Sequence, residues 1–303
     1  MAAEYQQTDL RVVDYAPFCL DEEILDRSTK RPLLIRGPRP ERLEKGEYFV
    51  CLGAAQTFGR FCERPFPAIL EERLCMPVLN VSHGGAGPAF FCGSNGRLLQ
   101  YLNDARFVVV QVMSSRSSSN SLFESDGVGH YRRKSDGTYL GCDQAFDELI
   151  RSAPRKVLTR IVEETRQSWC ESYDQLLSAI RVPKILFWFA TRRPAYTQRG
   201  KSLSELFGAF PQLVNEEMVS AIRRRCDLYV ECTFKRGLPQ RLKDRFTGKS
   251  ITIADPWTSQ PWTENWYYPS PEMHVDAADA LEPRCREAGG IGAPAKSSGL
   301  FRI

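Results

Sequence analysis

Five short apolar runs, separated by segments with helical periodicity, constrain the fold of this chain more than any other feature. The runs cover residues 48–53, 78–81, 107–113, 185–190 and 228–232. Runs that stay apolar on both faces are typical of strands buried in a parallel sheet, and the helices between them provide the crossovers. The pattern predicts an α/β fold, a three-layer sandwich whose five-stranded, mainly parallel sheet carries helices on both faces.

The segments between the runs predict the helices. Apolar residues recur at helical spacing over residues 65–74, 98–103, 155–180, 211–225 and 270–281. Right-handed crossovers bring the carboxyl ends of parallel strands to one edge of the sheet, where ligands bind in α/β folds. We therefore expect the loops that follow the strands to form the functional site.

Size and composition limit the organisation of the chain. It has 303 residues, of which 42% are hydrophobic and 26% charged, with a formal net charge of +4. We expect an N-terminal arm over residues 1–45, an α/β domain over 46–285 with an insertion around 124–154, and a flexible tail over 286–303. The mild charge disfavours nucleic-acid binding.

Cysteine usage and hydropathy predict the cellular environment. The ten cysteines include no CxxC pair and lie partly in apolar runs, which predicts reduced thiols in the core. The first residues lack the pattern of a leader peptide, and no stretch approaches the roughly 18 apolar residues of a membrane span. The sequence therefore predicts a cytoplasmic protein.

The loop after the first run resembles a known motif. GAAQTFG, residues 53–59, is similar to the GDSxTxG block that opens SGNH (GDSL-type) hydrolases. Gly53, Thr57 and Gly59 match that block, whereas Ala54 and Ala55 stand where the family has aspartate and its nucleophilic serine. An alanine has no hydroxyl, so the resemblance implies the fold without the standard esterase mechanism.

Later blocks of the same family recur in order over residues 48–281. Gly85 falls where an oxyanion-hole glycine lies, and Arg116 stands near the position of the oxyanion-hole asparagine. Tyr268 and Asn265 occupy the positions of the catalytic histidine and its aspartate. The chain also resembles an uncharacterised bacterial group that lacks the catalytic serine. The resemblance implies an SGNH-like sheet with flavodoxin-like strand order.

Arginines and glycines at the strand ends indicate an anionic ligand. Arg60, Arg116, Arg192 and Arg193 follow the first, third and fourth runs. The planar guanidinium fork suits carboxylate, phosphate or sulfate. The backbone amides of the turn at Gly84 and Gly85 are suited to an anion or an oxyanion. Ordinary surface ion pairs are the alternative for these arginines.

Few residues are available for proton transfer or nucleophilic attack. The candidate catalytic residues are His83 in the glycine turn, His274 on the last helix, and Ser114 after the third run. His130, in the basic insertion, is a further candidate. Each histidine has a structural alternative, as a turn residue or an internal hydrogen-bonding group.

Amide and aromatic side chains complete the candidate site. Gln56, Thr57 and Asn120 are expected to orient a substrate, or else to tie the loops together. Tryptophans 257, 262 and 266, with Tyr267 and Tyr268, are suited either to stack on a sugar ring or to cover the sheet edge. Metal-ligand spacings such as HExxH are absent from the sequence, so no metal is expected.

Two classes of function remain open. The first is an enzyme that transfers or hydrolyses an acyl or related anionic group on a carbohydrate-like polar substrate. Such an enzyme would be able to draw on an activated anionic donor such as a coenzyme A ester, a nucleotide sulfate or a phosphate donor. The second is a non-catalytic binding protein on a degenerate SGNH scaffold. In either class the expected partner is a small molecule or glycan, and a weaker reading is a subunit of a larger biosynthetic assembly.

Overall fold

The structure is a computed structural model, and it describes residues 7–26, 29–92, 96–196, 202–254 and 260–292. Trp257 and residues 293–303 of the expected tail lie outside the described residues. In chain order the described strands are β1 (Phe18–Cys19), β2 (Leu34–Ile35), β3 (Phe49–Gly53), β4 (Val78–Ser82), β5 (Val108–Gln111), β6 (Phe123–Glu124), β7 (His130–Arg133), β8 (Tyr139–Gly141), β9 (Lys184–Ala190), β10 (Leu228–Thr233), β11 (Gln240–Arg241), β12 (Ile253–Ala254), β13 (Pro261–Trp262) and β14 (Glu264–Asn265).

Helices alternate with strands along the described parts of the chain. A 3-10 helix at Gln7–Arg11 precedes the first strand. The described α-helices are α1 (Ala55–Phe58), α2 (Phe66–Leu74), α3 (Pro88–Phe91), α4 (Gly96–Asp104), α5 (Cys142–Ser152), α6 (Arg155–Ala179), α7 (Leu203–Phe207), α8 (Glu216–Arg223) and α9 (Pro271–Gly289).

The central sheet has the predicted architecture. Its five strands lie in the order β4-β3-β5-β9-β10, and every neighbouring pair is parallel. Numbered along the chain, the order is 2-1-3-4-5, which is the flavodoxin-like order. The prediction of a three-layer α/β sandwich with this order is therefore confirmed.

Alternating side chains of the sheet form two cores. Val50 and Leu52 of β3 face the larger core, which contains the apolar faces of α4, α6 and α8. Phe49 and Cys51 face the other core, which contains those of α2 and α9. This period-two alternation places helices on both faces of the sheet. The strand residues are buried throughout β3, β4 and β5, as the apolar runs predict.

Several elements differ from the sequence prediction. The helix expected from residue 211 begins at Glu216, because the Asn215 side chain caps it by accepting a hydrogen bond from the Met218 amide. The last helix continues past residue 281 to Gly289. The segment from Phe123 to Gly141, at the start of the expected insertion, forms the antiparallel sheet β6-β7-β8. Buried Phe123, Tyr131 and Leu140 pack this sheet against α5 and α6.

A buried arginine anchors the N-terminal segment to the domain. The Arg36 guanidinium donates four hydrogen bonds, to the carbonyls of Phe58, Gly59, Cys62 and Glu63, at 2.9–3.2 Å. Tyr15 and Phe58 present their rings to the same cation. These contacts satisfy a charge that is costly to bury, and they fix the chain between α1 and α2.

The ten cysteines form no disulfide. Six of them are buried, namely Cys51, Cys62, Cys92, Cys142, Cys232 and Cys285. None of the described helices combines the length and the apolar character that crossing a membrane requires.

Substitution of Gly53 tests how tightly the end of β3 is packed. A methyl group at this position would lie 2.4 Å from both the Gln111 Oε1 and Thr57 Oγ1 atoms. We expect Gly53→Ala to lower the free energy of unfolding by about 1–3 kcal/mol, measured by urea denaturation. Gly96→Ala is the control, because Gly96 is exposed, helical and surrounded by open space. The free energy of unfolding of this variant should equal that of the wild type or be slightly higher. Equal stability of the two variants would contradict this packing.

Candidate functional site

The carboxyl ends of the five parallel strands lie along one edge of the sheet, which we call the carboxyl edge. Gln111, the last residue of β5, organises its centre. Its Oε1 atom accepts hydrogen bonds from the Ala54 amide at 3.0 Å and from Thr57 Oγ1 at 2.6 Å. Gln111 is fully buried. Thr57 therefore serves to hold the loop after β3, and its hydroxyl is directed inward.

Ala55 lies in an apolar corner of this edge. It is the first residue of α1 and is buried together with Phe61, Leu242 and Tyr268. Val12 of the N-terminal segment packs on the same cluster. The position at which the resemblance expects a nucleophile thus has no hydroxyl and lies buried in an apolar cluster.

A buried ion pair lies beside that corner. The Nε and Nη2 atoms of Arg60 lie 2.9 and 2.8 Å from Asp9 Oδ2, and Nη1 donates to the Tyr268 hydroxyl at 2.8 Å. Burial raises the pKa of Tyr268, while the charges of Arg60 and Arg116 oppose the shift. Tyr268 is therefore a neutral phenol at neutral pH and occupies the histidine position without offering a base.

Asn265 fixes the turn that carries Tyr268. Its Oδ1 atom accepts a hydrogen bond from the Tyr268 amide at 2.8 Å, and its Nδ2 atom donates to the Tyr268 carbonyl at 2.9 Å. Asn265 is fully buried. The residue at the aspartate position thus orients the backbone of the turn.

His83 is enclosed by the segment that precedes β3. Its Nε2 atom lies 3.1 Å from Asp26 Oδ2, and its Nδ1 atom lies 3.0 Å from the Gly84 carbonyl oxygen. The ring stacks on Phe90 at 4.5 Å and is almost fully buried. Both ring nitrogens are therefore engaged inside the protein, which favours the turn-residue alternative over general-base catalysis.

The glycine turn is covered by the insertion. Gly85 has φ of +74°, and a methyl group there would approach the Gly129 backbone at 3.2 Å. The Gly87 amide donates to the Gly127 carbonyl at 2.8 Å. Gly85 and Gly87 therefore pack closely against the loop before β7.

His274 lies in the core between α2 and β9. Its Nδ1 atom accepts a hydrogen bond from the Phe66 amide at 3.2 Å, and its ring meets Phe189 edge to face at 5.4 Å. Among the described residues its Nε2 atom has no hydrogen-bond partner. Burial, assisted by the Arg36 charge, lowers the pKa of His274 to about 3. Its position is that of an internal, neutral hydrogen-bond acceptor.

Two further candidates stabilise loops. Arg192 donates to the carbonyls of Ala209, Pro211 and Val214 at 2.6–2.9 Å. Burial lowers the pKa of this guanidinium to about 10. Asn120 donates to Thr165 Oγ1 and accepts hydrogen bonds from amides of its own turn. Arg193, by contrast, is exposed.

Arg116 differs from the other arginines of the edge. Its Nη1 atom donates to Asp143 Oδ1 at 2.6 Å, and its backbone amide donates to Ser114 Oγ at 3.3 Å. In the described part of the chain, its Nε and Nη2 atoms have no partner. The side chain is 15% exposed. One edge of a positioned guanidinium is therefore open to a ligand.

Aromatic and amide groups surround Arg116. The His130 ring is half-buried and stacks on Tyr139 at 5.4 Å. Burial, followed by the Arg116 charge, lowers the pKa of His130. The Gln212 Nε2 atom donates to the Tyr267 hydroxyl at 2.8 Å. Arg116 acts electrostatically on Tyr267 as well. We call these residues, with Ser114 and Asp143, the Arg116 site.

Several buried polar atoms near this edge lack partners among the described residues. They are Gln56 Oε1, Gln111 Nε2, Ser115 Oγ, Ser117 Oγ and Gln212 Oε1. Buried polar groups are usually hydrogen-bonded, because desolvation without compensation is costly. These atoms belong to α1, to the end of β5 and the loop after it, and to the turn before α8, so unsatisfied hydrogen-bonding groups concentrate at the carboxyl edge.

Sequence reasoning missed part of the Arg116 site. Asp143 and Gln212 come from the insertion and from the turn before α8, which no motif marked. Gln111 carried a detectable signal, a single amide in the otherwise apolar run of residues 107–113. A polar residue at the end of a buried central strand indicates either a loop anchor or a site residue.

Among the described residues, the Arg116 site coincides neither with a cluster of metal ligands nor with either of two surface depressions. No group of three or more histidine, cysteine, aspartate or glutamate residues among the described ones is placed to hold a metal ion. Two surface depressions, of about 480 and 510 Å³, lie elsewhere, one beside Arg133 and Glu148 and one beside Cys62 and Arg73. Neither is lined by a residue of the Arg116 site.

The chain matches one family model over most of its length. The family is described as "Domain of unknown function (DUF6473)", and the match covers residues 20–133 and 146–289. The chain therefore belongs to this family. No curated protein matches it.

Solved structures show distant likenesses. One is an active-site mutant of a family two carbohydrate esterase from Clostridium thermocellum, with 13% identity, 86% of this chain and 68% of that chain covered, and a TM-score of 0.38. A carbohydrate esterase family 2 enzyme from Corynascus thermopiles (Myceliophthora fergusii) has 12% identity, coverages of 86% and 71%, and a TM-score of 0.35. The lipase Lip_vut3 from a goat rumen metagenome has 12% identity, coverages of 81% and 98%, and a TM-score of 0.39.

The burial of His274 predicts a pH-dependent stability. Because its pKa lies near 3 in the folded protein and near 6.5 when exposed, the unfolded state binds the proton first on acidification. The free energy of unfolding should therefore fall from about pH 6.5 downward. Relative to His274→Asn, which has no titrating group, the wild type should lose about 2 kcal/mol between pH 7 and pH 5 in urea denaturation. Parallel losses in the two proteins would show that this histidine does not titrate as described.

Proposed function

We propose that this member of the DUF6473 family binds a polar, carbohydrate-like ligand through an acyl or anionic group at its carboxyl edge, on a degenerate SGNH-like scaffold. The observation that carries the proposal is the closed corner at Ala55. Where serine hydrolysis needs a hydroxyl beside a base, this chain has a buried methyl group beside a phenol held by Arg60.

The inward placement of the histidines supports binding over hydrolysis. A general base must reach the proton that it removes. His83 faces Asp26 and the Gly84 carbonyl, and His274 accepts a hydrogen bond from the Phe66 amide inside the core. Ser114 lies beside the Arg116 amide and directs its hydroxyl toward the Gln212 carbonyl at 3.4 Å. These contacts leave the edge with polar donors and acceptors suited to recognition.

Arg116 supports an anionic group on the ligand. A guanidinium that is mostly buried forms stronger hydrogen bonds with an anion than an exposed one does, because water screens it less. Asp143 fixes its orientation at 2.6 Å, so little side-chain freedom remains to be lost on binding. Buried amide and hydroxyl atoms without partners among the described residues lie at the same edge, and a ligand hydroxyl or a bound water would satisfy them.

A second candidate function is group transfer from an activated anionic donor, such as a coenzyme A ester or a nucleotide sulfate. The observation that favours it is His130. Burial and the Arg116 charge lower its pKa, so the ring is neutral at physiological pH and is able to accept a proton. Arg116 would hold the anion of the donor. A hydroxyl of the second substrate would attack the acyl or sulfuryl group and give its proton to His130, and the bond to the coenzyme A thiolate or the nucleotide phosphate would break as that group leaves.

A ligand screen with matched arginine variants tests the proposal. Purified protein is screened by thermal shift against glycans, sugar phosphates, coenzyme A esters, nucleotide sulfates and simple oxyanions. A ligand at about one hundred times its Kd should stabilise the wild type by about 2.7 kcal/mol. We expect Arg116→Gln to abolish the shift. Arg225→Gln should keep it, because the Arg225–Asp174 pair is similar in length, at 2.6 Å, but lies before β10 at the opposite edge.

The outcomes separate the candidate functions. A shift that depends on Arg116, without turnover of the ligand, supports binding. Turnover of one donor that is lost in His130→Gln as well as in Arg116→Gln supports group transfer. If Arg116→Gln and Arg225→Gln both keep the wild-type thermal shift, the ligand binds away from the Arg116 site, and both candidate functions are overturned.

A further inference from the structure

We infer that the Arg116 site recognises an acidic sugar, a pyranose ring that carries a single carboxylate or sulfate ester. This inference rests on the proposed binding function and names its ligand class. It combines three features of the site: an open arginine fork, an unpartnered buried amide oxygen, and aromatic rings on either side.

The open fork selects the geometry of the anion. Asp143 occupies Nη1 of Arg116, so the Nε–Nη2 edge is the part left without a partner in the described structure. Two parallel N–H groups on one edge of the guanidinium match the two oxygens of a carboxylate. The fixed fork thus favours an anion with two oxygens in one plane, presented side-on.

The local charge limits the anion to a single negative charge. The Asp143 side chain is half-exposed and lies 2.6 Å from Arg116, so the pair is close to neutral before a ligand binds. Entry into this mostly buried site costs a dianionic phosphate far more hydration free energy than it costs a monoanion, and the nearly neutral pair supplies no net charge to offset that cost. A uronate or a sulfate ester, each carrying one charge, fits this balance better than a phosphate does.

Gln212 supplies a contact for a sugar hydroxyl. Its Nε2 atom donates to the Tyr267 hydroxyl at 2.8 Å, which fixes the plane of the amide. Its Oε1 atom has no partner among the described residues, although the side chain is only 6% exposed. An amide oxygen positioned in this way accepts a hydrogen bond, and a hydroxyl of the ligand is the matching donor.

Aromatic rings flank the same site from two separate elements. Tyr139, 59% exposed, stacks on His130 in the sheet β6-β7-β8. Tyr267, 38% exposed, lies on the turn that precedes α9 and interacts with Gln212 and Arg116, and Trp266, 69% exposed, is its neighbour in the chain. Exposed rings of this kind offer apolar faces to the C–H groups of a pyranose while its hydroxyls stay hydrated or hydrogen-bonded. The two elements therefore supply walls for a flat, partly apolar ring.

A matched sugar series tests the inference by titration calorimetry. We compare a galacturonate oligosaccharide and a sulfated galactose oligosaccharide with a neutral galactose oligosaccharide of equal length and with galactose phosphate. The wild type should bind the singly charged sugars at least about tenfold more tightly than the neutral one. Galactose phosphate should bind more weakly than the uronate. Whichever of the galacturonate and sulfated oligosaccharides binds with the higher affinity identifies the anion that the site prefers.

Variants assign the preference to individual residues. Arg116→Gln and Arg116→Lys should both remove the tenfold preference, because lysine keeps the charge but lacks the fork. Tyr139→Ser and Trp266→Ser should each lower the affinity for acidic and for neutral sugars alike, by about fivefold. Phe246→Ser is the control for an exposed aromatic residue in a different place, since Phe246 contacts Arg245, and it should change nothing.

The results distinguish this inference from the broader proposal. Equal binding of acidic and neutral sugars, or a preference that survives Arg116→Lys, would overturn the acidic-sugar assignment. If a polar, hydroxyl-rich ligand that is not an acidic sugar binds in an Arg116-dependent way, the assignment fails and the proposed binding function stands. If no ligand depends on Arg116, both fail. Circular dichroism spectra that match the wild type are required of each variant before its titration is interpreted.

Discussion

The buried ion pair of Arg60 with Asp9 decides what the carboxyl edge is able to do. The Arg60 and Asp9 side chains are both almost fully buried. Removal of either one would strongly destabilise the fold, because it leaves an uncompensated charge in a low-dielectric interior. The third contact of Arg60, to the Tyr268 hydroxyl, ties the N-terminal segment to the turn before the last helix. Together they fill the space beside Ala55, where the resemblance expects a nucleophile and its base.

The same principle recurs at other loops. Arg36 and Arg192 each donate to several backbone carbonyls, and so they satisfy acceptors that loops would otherwise leave unpaired. Such arginines stabilise the loops and are not free to bind a ligand. Arg116 is mostly buried too, but it has a single carboxylate partner and keeps one fork open. This difference in hydrogen bonding, rather than position along the sheet edge, distinguishes Arg116, the arginine proposed to bind a ligand, from Arg36 and Arg192.

The fold was readable from the sequence because hydrophobic periodicity is local. The five apolar runs and the stripe of α6 predict the strands, the parallel sheet and the longest helix. The site was less readable because its contacts join residues far apart in the chain, such as Asp9 with Arg60 and Gln212 with Tyr267. The sequence also does not show that His274 is buried. Its pKa depends on the packing of α2 and β9 around it, which no local pattern encodes.

The central claim is that this edge binds a ligand without an activated serine. The most direct test is incubation of the protein with a fluorophosphonate, followed by intact-protein mass spectrometry. Fluorophosphonates phosphonylate activated serine nucleophiles, with loss of fluoride. The account predicts an unchanged mass at a probe concentration that fully labels a serine esterase. A single adduct that maps to a serine of the carboxyl edge, such as Ser114, and is absent after heat denaturation of the protein before labelling, would contradict it.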